Sequence, residues 1–520
     1  MFIIDNYQNN SERKTGQITL ALWHRKKNVN TKEYSLIIFT TMKVSKNNLI
    51  LSLAVTGIAP ALLSSCAKEK QKPNVIFILT DDLGYSELGC YGNAYNETPN
   101  IDALAEKGVR FTNAYAAQTV SSPTRAALMT GLYPPRTGII DYLRPDDTKH
   151  LNEDYTTIAE VFKSKGYHTG IIGKWHQTGY TRAGAPYESS PDKHGFDEVI
   201  VSENEGIANG TWFHPYHFNK EIEKLLDGDK EFLVDRMNEE ALRFIDRQDN
   251  DKPFFLYLSH YAVHTQVQGK PEDVDYFRSK PGAGVSAPSQ NNTENDPYKK
   301  WPADYRANKN NPHLAAQLRD IDKGVGAIMK KLKDKGLLDN TLVVFTSDNG
   351  GETNVTNNAP LRDGKSSQYE GGIRIAKIVY YPALIPQGKV IDEQVVTYDY
   401  LPTFSEMLGV NKKDLFQQPD GVSLWGLWTD KKSTLAERAL CWHYPLDKPH
   451  FLGGRSSAAI RLGDWKLMQF YDSGALELYN LKDDIGESNN LVMQHPEIAK
   501  ELMEKLNAWR EDVGAVVPTR

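Results

Sequence analysis

Cysteine is scarce in this chain: 520 residues include three, Cys66, Cys90 and Cys441. Three thiols cannot build a disulfide framework, and no cysteine or histidine cluster has zinc-ligand spacing. A basic excess is missing as well. The formal net charge is −6, which gives no overall positive field for a nucleic-acid partner and requires the positive charge for any anionic ligand to be local. There is no internal repeat, and no apolar run is long enough to span a bilayer. At this length the chain can bury a large core, either as one big α/β domain with an appendage or as two domains.

The apolar stretch from Leu49 to Leu63 follows Met42, Lys43 and Lys46, is interrupted by Gly57 and Pro60, and ends in Leu63-Ser64-Ser65-Cys66. A basic start, a short apolar core and small residues before a cysteine describe an export peptide rather than a spanning helix. The order resembles a bacterial lipoprotein signal. It implies translation from Met42, with residues 1–41 an over-extended N-terminus, residues 42–65 the signal, and residues 66–73 a polar linker. Cys66 would be the lipidated first residue, holding an exported protein to a membrane by acyl chains, facing the periplasm.

Folding is expected to begin at Asn74, where Val75 to Leu79 is a continuous apolar run ending in Thr80-Asp81-Asp82. That pattern predicts a buried parallel strand delivering two carboxylates at its carboxyl end. The same arrangement recurs at Ile171-Ile172 before Lys174, at Phe254 to Leu258 before His260 and His264, and at Leu342 to Thr346 before Asp348-Asn349. Helical periodicity lies between, over Asn100 to Lys107, Thr156 to Lys165, Leu233 to Arg247 and His313 to Lys335. The expected fold is α/β, a mostly parallel central sheet flanked by helices, over residues 74–430. An irregular insertion is expected at 271–312, and a smaller C-terminal antiparallel sheet with one helix over 431–520. Ligand sites in such sheets lie beyond the carboxyl ends of the strands.

Asp81, Asp82, Asp348 and Asn349 are hard oxygen donors of the kind Ca2+ or Mg2+ prefers, although an Asp-Asp pair after a strand is usually a cap or a solvated turn. Residues 121–131 run Ser-Ser-Pro-Thr-Arg-Ala-Ala-Leu-Met-Thr-Gly, locally a helix start with Ser121 as a hydroxyl cap. They also resemble, in every slot, the signature by which type I sulfatases of the alkaline phosphatase superfamily mark one residue for oxidation to formylglycine. Five further segments resemble that family: Ile78 to Gly84, Gly166 to His176, Pro253 to Gln266, Val344 to Gly350 and Pro360 to Arg374. Departures are Gln177-Thr178-Gly179 after the second signature, Thr265 where a proline is usual, and Ala376 likewise.

The resemblance implies that Ser121 becomes formylglycine, made by an anaerobic radical-type maturing enzyme because the position is serine. Asp81, Asp82, Asp348, Asn349 and modified Ser121 would hold Ca2+, with Mg2+ as the alternative. Arg125 would support the aldehyde hydrate, and Lys174 and Lys365 would bind sulfate. His264 would protonate the leaving oxygen, His260 being the spare, and His176 would take the proton of the second hydroxyl. Serine-type sulfatases with lipoprotein signals are similar to those of polysaccharide-degrading Bacteroidetes-type bacteria, which implies a sulfated oligo- or polysaccharide substrate. Trp212 and His214 in an aromatic stretch reaching Phe218, with Arg362 and His443, are candidate sugar contacts. The alternatives are phosphate-ester or phosphonate hydrolysis on the same scaffold, and an inactive glycan-binding lipoprotein.

Overall fold

Alternate side chains of Asn74–Thr80 are buried on opposite faces of a sheet, which is why that strand reads as one unbroken apolar run. The computed structural model describes residues 72–144, 147–178, 189–201, 212–214, 231–249, 251–285 and 303–518, together with three short strands nearer the N-terminus. The segment 46–71, which includes the expected signal core and Cys66, lies outside the described residues. Met1–Glu69 is a separate unit in which Phe2–Ile4, Thr15–Ala21 and Thr41–Ser45 form an antiparallel sheet. Among the described residues no helix is long and apolar enough to cross a membrane.

Lys70–Arg520 forms the second unit. Its strands are β1 (Asn74–Thr80), β2 (Val109–Phe111), β3 (His168–Gly173), β4 (Glu198–Val201), β5 (Phe254–Ser259), β6 (Thr341–Ser347), β7 (Lys377–Tyr380) and β8 (Lys389–Ile391). They make an eight-stranded sheet in the order β8-β2-β7-β6-β1-β5-β3-β4. Five of its seven neighbouring pairs are parallel, and β7 is antiparallel to both its neighbours. The predicted mostly parallel sheet is therefore present.

Helices cover both faces. Ile76 and Ile78 pack with α1 (Pro99–Glu106), α4 (Leu233–Arg247) and α6 (Pro312–Asp334). Val75, Phe77 and Leu79 pack with α2 (Ser121–Thr130), α3 (Ile158–Ser164) and α7 (Tyr400–Leu408). The start of α3 shows how local sequence sets a boundary. Thr157 accepts from the backbone of Glu160 while Glu160 accepts from the backbone of Thr157, a reciprocal cap.

One expectation needs correction. The segment 271–312 is not irregular throughout, because Pro271–Ser279 forms α5. Proline opens this helix, Glu272 and Asp273 occupy its first turn, and Val274 and Phe277 are buried three residues apart. Two apolar positions among charged ones were too few to show a period.

Beyond the main sheet, β9 (Leu440–Tyr444), β10 (Ser457–Leu462), β11 (Trp465–Phe470) and β12 (Leu476–Asn480) form an antiparallel sheet in sequence order. Ala458 and Ile460 face α8 (Pro496–Val513), while Ala459 lies with Tyr115 and Ala127. The second sheet therefore packs against the helix that carries Ser121. Buried Lys466 pairs with Glu370 at 3.0 Å and Glu487 at 2.8 Å across this junction.

Lys377 on β7 is buried with no hydrogen-bond partner on Nζ, which lies 4.2 Å from the centre of the Tyr400 ring. Burial lowers its pKa to about 7, with Asp399 opposing. Below that value both folded and unfolded chains carry the proton, and stability bears the full cost of the buried charge. Between there and the ordinary lysine range the unfolded chain binds a proton the folded one has given up, so stability rises with pH. Lys377→Met should raise the melting temperature at neutral pH and flatten the increase that the native protein shows on going alkaline, read by thermal denaturation across that range.

Candidate active site

The parallel register of β1 with β6 pairs Thr80 with Ser347. The next residues of both strands are therefore neighbours, and Asp348 N–H donates to the Thr80 carbonyl at 3.1 Å. Asp82 then turns, with φ of 58°, so that its own N–H donates to Asp348 Oδ1 at 3.1 Å. A non-glycine residue in the left-handed region costs energy and persists where its surroundings fix it. His176, with φ of 54°, is the second case at this site. Oxygen atoms of Asp81, Asp82 and Asp348 all lie within 4.8 Å of one another, and all three residues are buried.

Three cations answer these carboxylates. Arg125, on α2, donates from Nε and Nη2 to Asp348 Oδ2 at 3.0 and 2.8 Å, and from Nη1 to Ser259 Oγ at 2.6 Å. Lys174 Nζ donates to Asp81 Oδ2 at 2.6 Å. Lys174 follows Gly173, where a side chain would strike the Ser259 carbonyl, so only glycine lets β3 close on β5 there. Lys365 Nζ donates to Asp82 Oδ2 at 2.7 Å and lies 3.0 Å from His264 Nε2.

Ser121 is the first residue of α2, and its hydroxyl does not cap the helix. Instead Oγ donates to Asp81 Oδ1 at 3.0 Å and lies 3.5 Å from Asn349 Oδ1. Asn349 Nδ2 donates to Asp82 Oδ1 at 2.7 Å. The side chain at 121 thus sits among the acidic oxygens, buried, at a helix amino end that favours negative charge.

Burial alone would push the Asp81 carboxyl up, but Lys174, His264 and Arg125 hold it down at about 2. The Asp348 carboxyl is pushed up by burial and by Asp81, against Arg125. His176 is driven well below the usual histidine range by burial and by Lys174 and Arg125. Its Nε2 lies 3.0 Å from the Leu143 carbonyl and must carry the proton, which leaves Nδ1 bare, buried and without a partner. His264 is lowered by burial and Lys365. His264 Nδ1, 2.5 Å from the Thr265 carbonyl, must carry its proton, so Nε2 faces Lys365 with a lone pair.

Buried carboxylates with an amide oxygen beside them form a hard donor set suited to a divalent cation. Asp81, Asp82, Asp348 and Asn349 would hold it. Every residue expected in the catalytic and metal sets is brought to this one place.

The comparisons agree with the geometry. A family model described as Sulfatase matches residues 73–410. The chain belongs to the sulfatase family. A second model, the C-terminal region of N-sulphoglucosamine sulphohydrolase, matches residues 363–512. A sulfatase of Formosa agariphila is 30% identical, over 87% of this chain and 91% of its own. An N-acetylglucosamine-6-O-sulfatase of Bacteroides thetaiotaomicron is 27% identical, over 90% of this chain and 91% of its own. The crystal structure of Ps i-CgsB in complex with k-i-k-neocarrahexaose is 30% identical, with a TM-score of 0.68, covering 84% of this chain and 93% of that one. This sulfatase is a sulfuric ester hydrolase.

The expected sugar contacts fare differently. Trp212 is a core residue, packed near Phe232 with Nε1 bonded to the Gln266 carbonyl. His214 is half-buried, its backbone N–H on Glu231, and residues 215–218 lie outside the described set. Arg362 stacks 3.8 Å above the Tyr369 ring and donates to Tyr479 and to the Glu487 carbonyl. His443 is buried on β9, its Nδ1 2.6 Å from the Tyr471 hydroxyl. Packing buries Trp212 and His443, and Arg362 clasps the second sheet. His260, the spare, is buried and pushed down to about 3. Its backbone N–H bonds Leu79, and its ring makes no described contact with the carboxylates.

Sequence reading missed Ser259, Glu352 and His450. Ser259 ends β5 and receives Arg125. Glu352 is buried and accepts from Thr265 at 2.8 Å. His450 is pushed down to about 3 by burial and by nearby Lys365, and stacks on Phe451. A polar residue ending a buried strand was a usable signal for Ser259. The other two sit in loops with no period.

If the carboxylates hold a cation, the protein should bind one divalent ion per chain by calorimetry, with a rise in melting temperature. Asp348→Asn should weaken that binding at least about tenfold and abolish the rise.

Proposed function

We propose that this sulfatase releases inorganic sulfate from sulfated saccharides, using formylglycine at position 121 and Ca2+, after export as a lipoprotein anchored at Cys66. The observation that carries the substrate class is a cavity of about 260 Å3, lined by Asp141, Tyr142, Arg144, Lys149 and Tyr444 among others. Leu143, between the lining residues Tyr142 and Arg144, links it to the site, since its N–H donates to Ser122 Oγ while its carbonyl accepts from His176. Tyrosine faces with both acidic and basic groups suit a sugar, which presents apolar faces and hydroxyls together. The names of the Bacteroides relative and of the carrageenan-saccharide complex support the same class. Four protein oxygen donors favour Ca2+, since Mg2+ usually keeps several waters. The basic, apolar and small-residue order before Cys66 supports export, and serine at 121 supports a radical-type maturing enzyme as partner.

When present, the hydrated aldehyde supplies a nucleophilic hydroxyl and the cation supplies positive charge against the sulfate oxygens. Arg125 and Asp81 hold the side chain at 121 in place. Lys174 and Lys365, already ordered by Asp81 and Asp82, donate to the sulfate and stabilise charge that grows on its oxygens. His264 Nε2, bare until Lys365 gives it a proton, relays that proton to the departing sugar oxygen, help typically worth about a hundred- to ten-thousand-fold. His176 Nδ1, bare and in the field of Lys174 and Arg125, takes a proton from the second hydroxyl of the hydrate so that sulfate can leave.

The test pairs peptide mass spectrometry on Ser121 with sulfate release, using protein co-produced with a serine-type maturing enzyme. The panel is 6-O-sulfated N-acetylglucosamine, sulfated neocarrahexaose, p-nitrophenyl sulfate and p-nitrophenyl phosphate. Loss of two hydrogens at Ser121 together with sulfate release from a saccharide is expected. An unmodified serine under conditions that mature a control sulfatase, or preferential cleavage of the phosphate, would overturn the reading.

A further inference from the structure

The imidazole of His264 has to present one nitrogen to the leaving oxygen, yet the chain around it has no regular structure. Its backbone is tied upstream, where Val263 N–H donates to the Asp81 carbonyl at 2.7 Å and His264 N–H to the Tyr261 carbonyl at 3.0 Å. The ring itself is oriented by the Thr265 carbonyl, 2.5 Å from Nδ1. That carbonyl can orient a ring only if its peptide plane is fixed. The plane is fixed through the side chain next to it, because Thr265 Oγ1 donates to Glu352 Oε2 at 2.8 Å. Glu352 is 1% exposed and Thr265 6% exposed.

We propose that Thr265 and Glu352 are a positioning pair that fixes the tautomer and direction of His264, so that Nε2 meets Lys365 and the leaving oxygen. The proposal rests on the reading of His264 as the group that protonates that oxygen. Glu352 is well placed for the task. Its other carboxylate oxygen accepts from Asn354 Nδ2 at 3.3 Å, and its carbonyl accepts from Val355 and Thr356 N–H at 3.0 Å each, so the anchor is itself held. The same short segment steadies the other side of the contact, because Lys365 N–H donates to the Gly351 carbonyl at 3.0 Å. Glu352 thus holds one partner by a hydrogen bond and sits in the turn that holds the other.

A positioning role for a proton donor has a particular kinetic mark. A sugar alkoxide is a poor leaving group and needs the proton, whereas p-nitrophenolate is a stable anion and leaves without one. In the matured full-length protein, Thr265→Val and Glu352→Ala should lower kcat on the saccharide sulfate by about tenfold to a hundredfold, part of the full general-acid effect. KM should change little, and turnover of p-nitrophenyl sulfate should stay within about twofold. Thr265→Ser, which keeps the hydroxyl, should restore the saccharide rate. An equal loss on both substrates would mean a merely structural role and would overturn the proposal, as would no loss on the saccharide. A crystal structure of the Thr265→Val protein decides the point independently of activity. The expected result is a His264 ring turned so that Nε2 leaves Lys365. A ring that keeps that contact would overturn the pairing. If the unaltered enzyme split no saccharide sulfate, the functional reading would fail, and the crystal structure would still judge the pair.

Discussion

Like charges have to be held side by side at the ends of β1 and β6, and the rest of the site is a response to that demand. Asp81, Asp82 and Asp348 are buried within one small volume, where isolated carboxylates would be prohibitively costly. Arg125, Lys174 and Lys365 balance them charge for charge. Removing one partner of such a buried set typically costs about 3–5 kcal/mol, because it strands the other. The protein groups alone are therefore close to neutral, and a bound divalent cation would leave a surplus of positive charge for an anionic ester. That surplus is local, which reconciles an acidic chain with an anionic substrate.

The cations come from far apart in sequence, and the sheet brings them together. Arg125 rides on α2, Lys174 leaves β3, and Lys365 follows β6. Parallel strands whose carboxyl ends share one edge bring such residues to a common cleft. The antiparallel C-terminal sheet supports this indirectly. It packs behind α2 through Ala127, and contacts from Arg362, just before Lys365, and from Lys466 to Glu370, just after it, fasten it to the segment that carries Lys365.

Much of this was legible in the sequence because strand ends announce themselves. An unbroken apolar run followed by Asp-Asp, Gly-Lys or Asp-Asn gave both the layer and the chemistry. The helix at 233–247 has the bounds its periodicity predicted. What stayed hidden depends on register or on loop paths. Glu352 lies in Gly-Gly-Glu-Thr-Asn, where no pattern separates a buried anchor from a solvated turn. Trp212 and His443 are the opposite case: an aromatic or histidine is read equally well as a sugar contact or as core, and here both are buried.

Ser121 has almost no surface of its own: α2 is buried along its whole length, pinned by Arg125 within the sheet and by the second sheet from behind. A macromolecule acting on this side chain would find almost no surface to grip, since Ser121 is 3% exposed. Any such chemistry would have to precede closure of the core around α2.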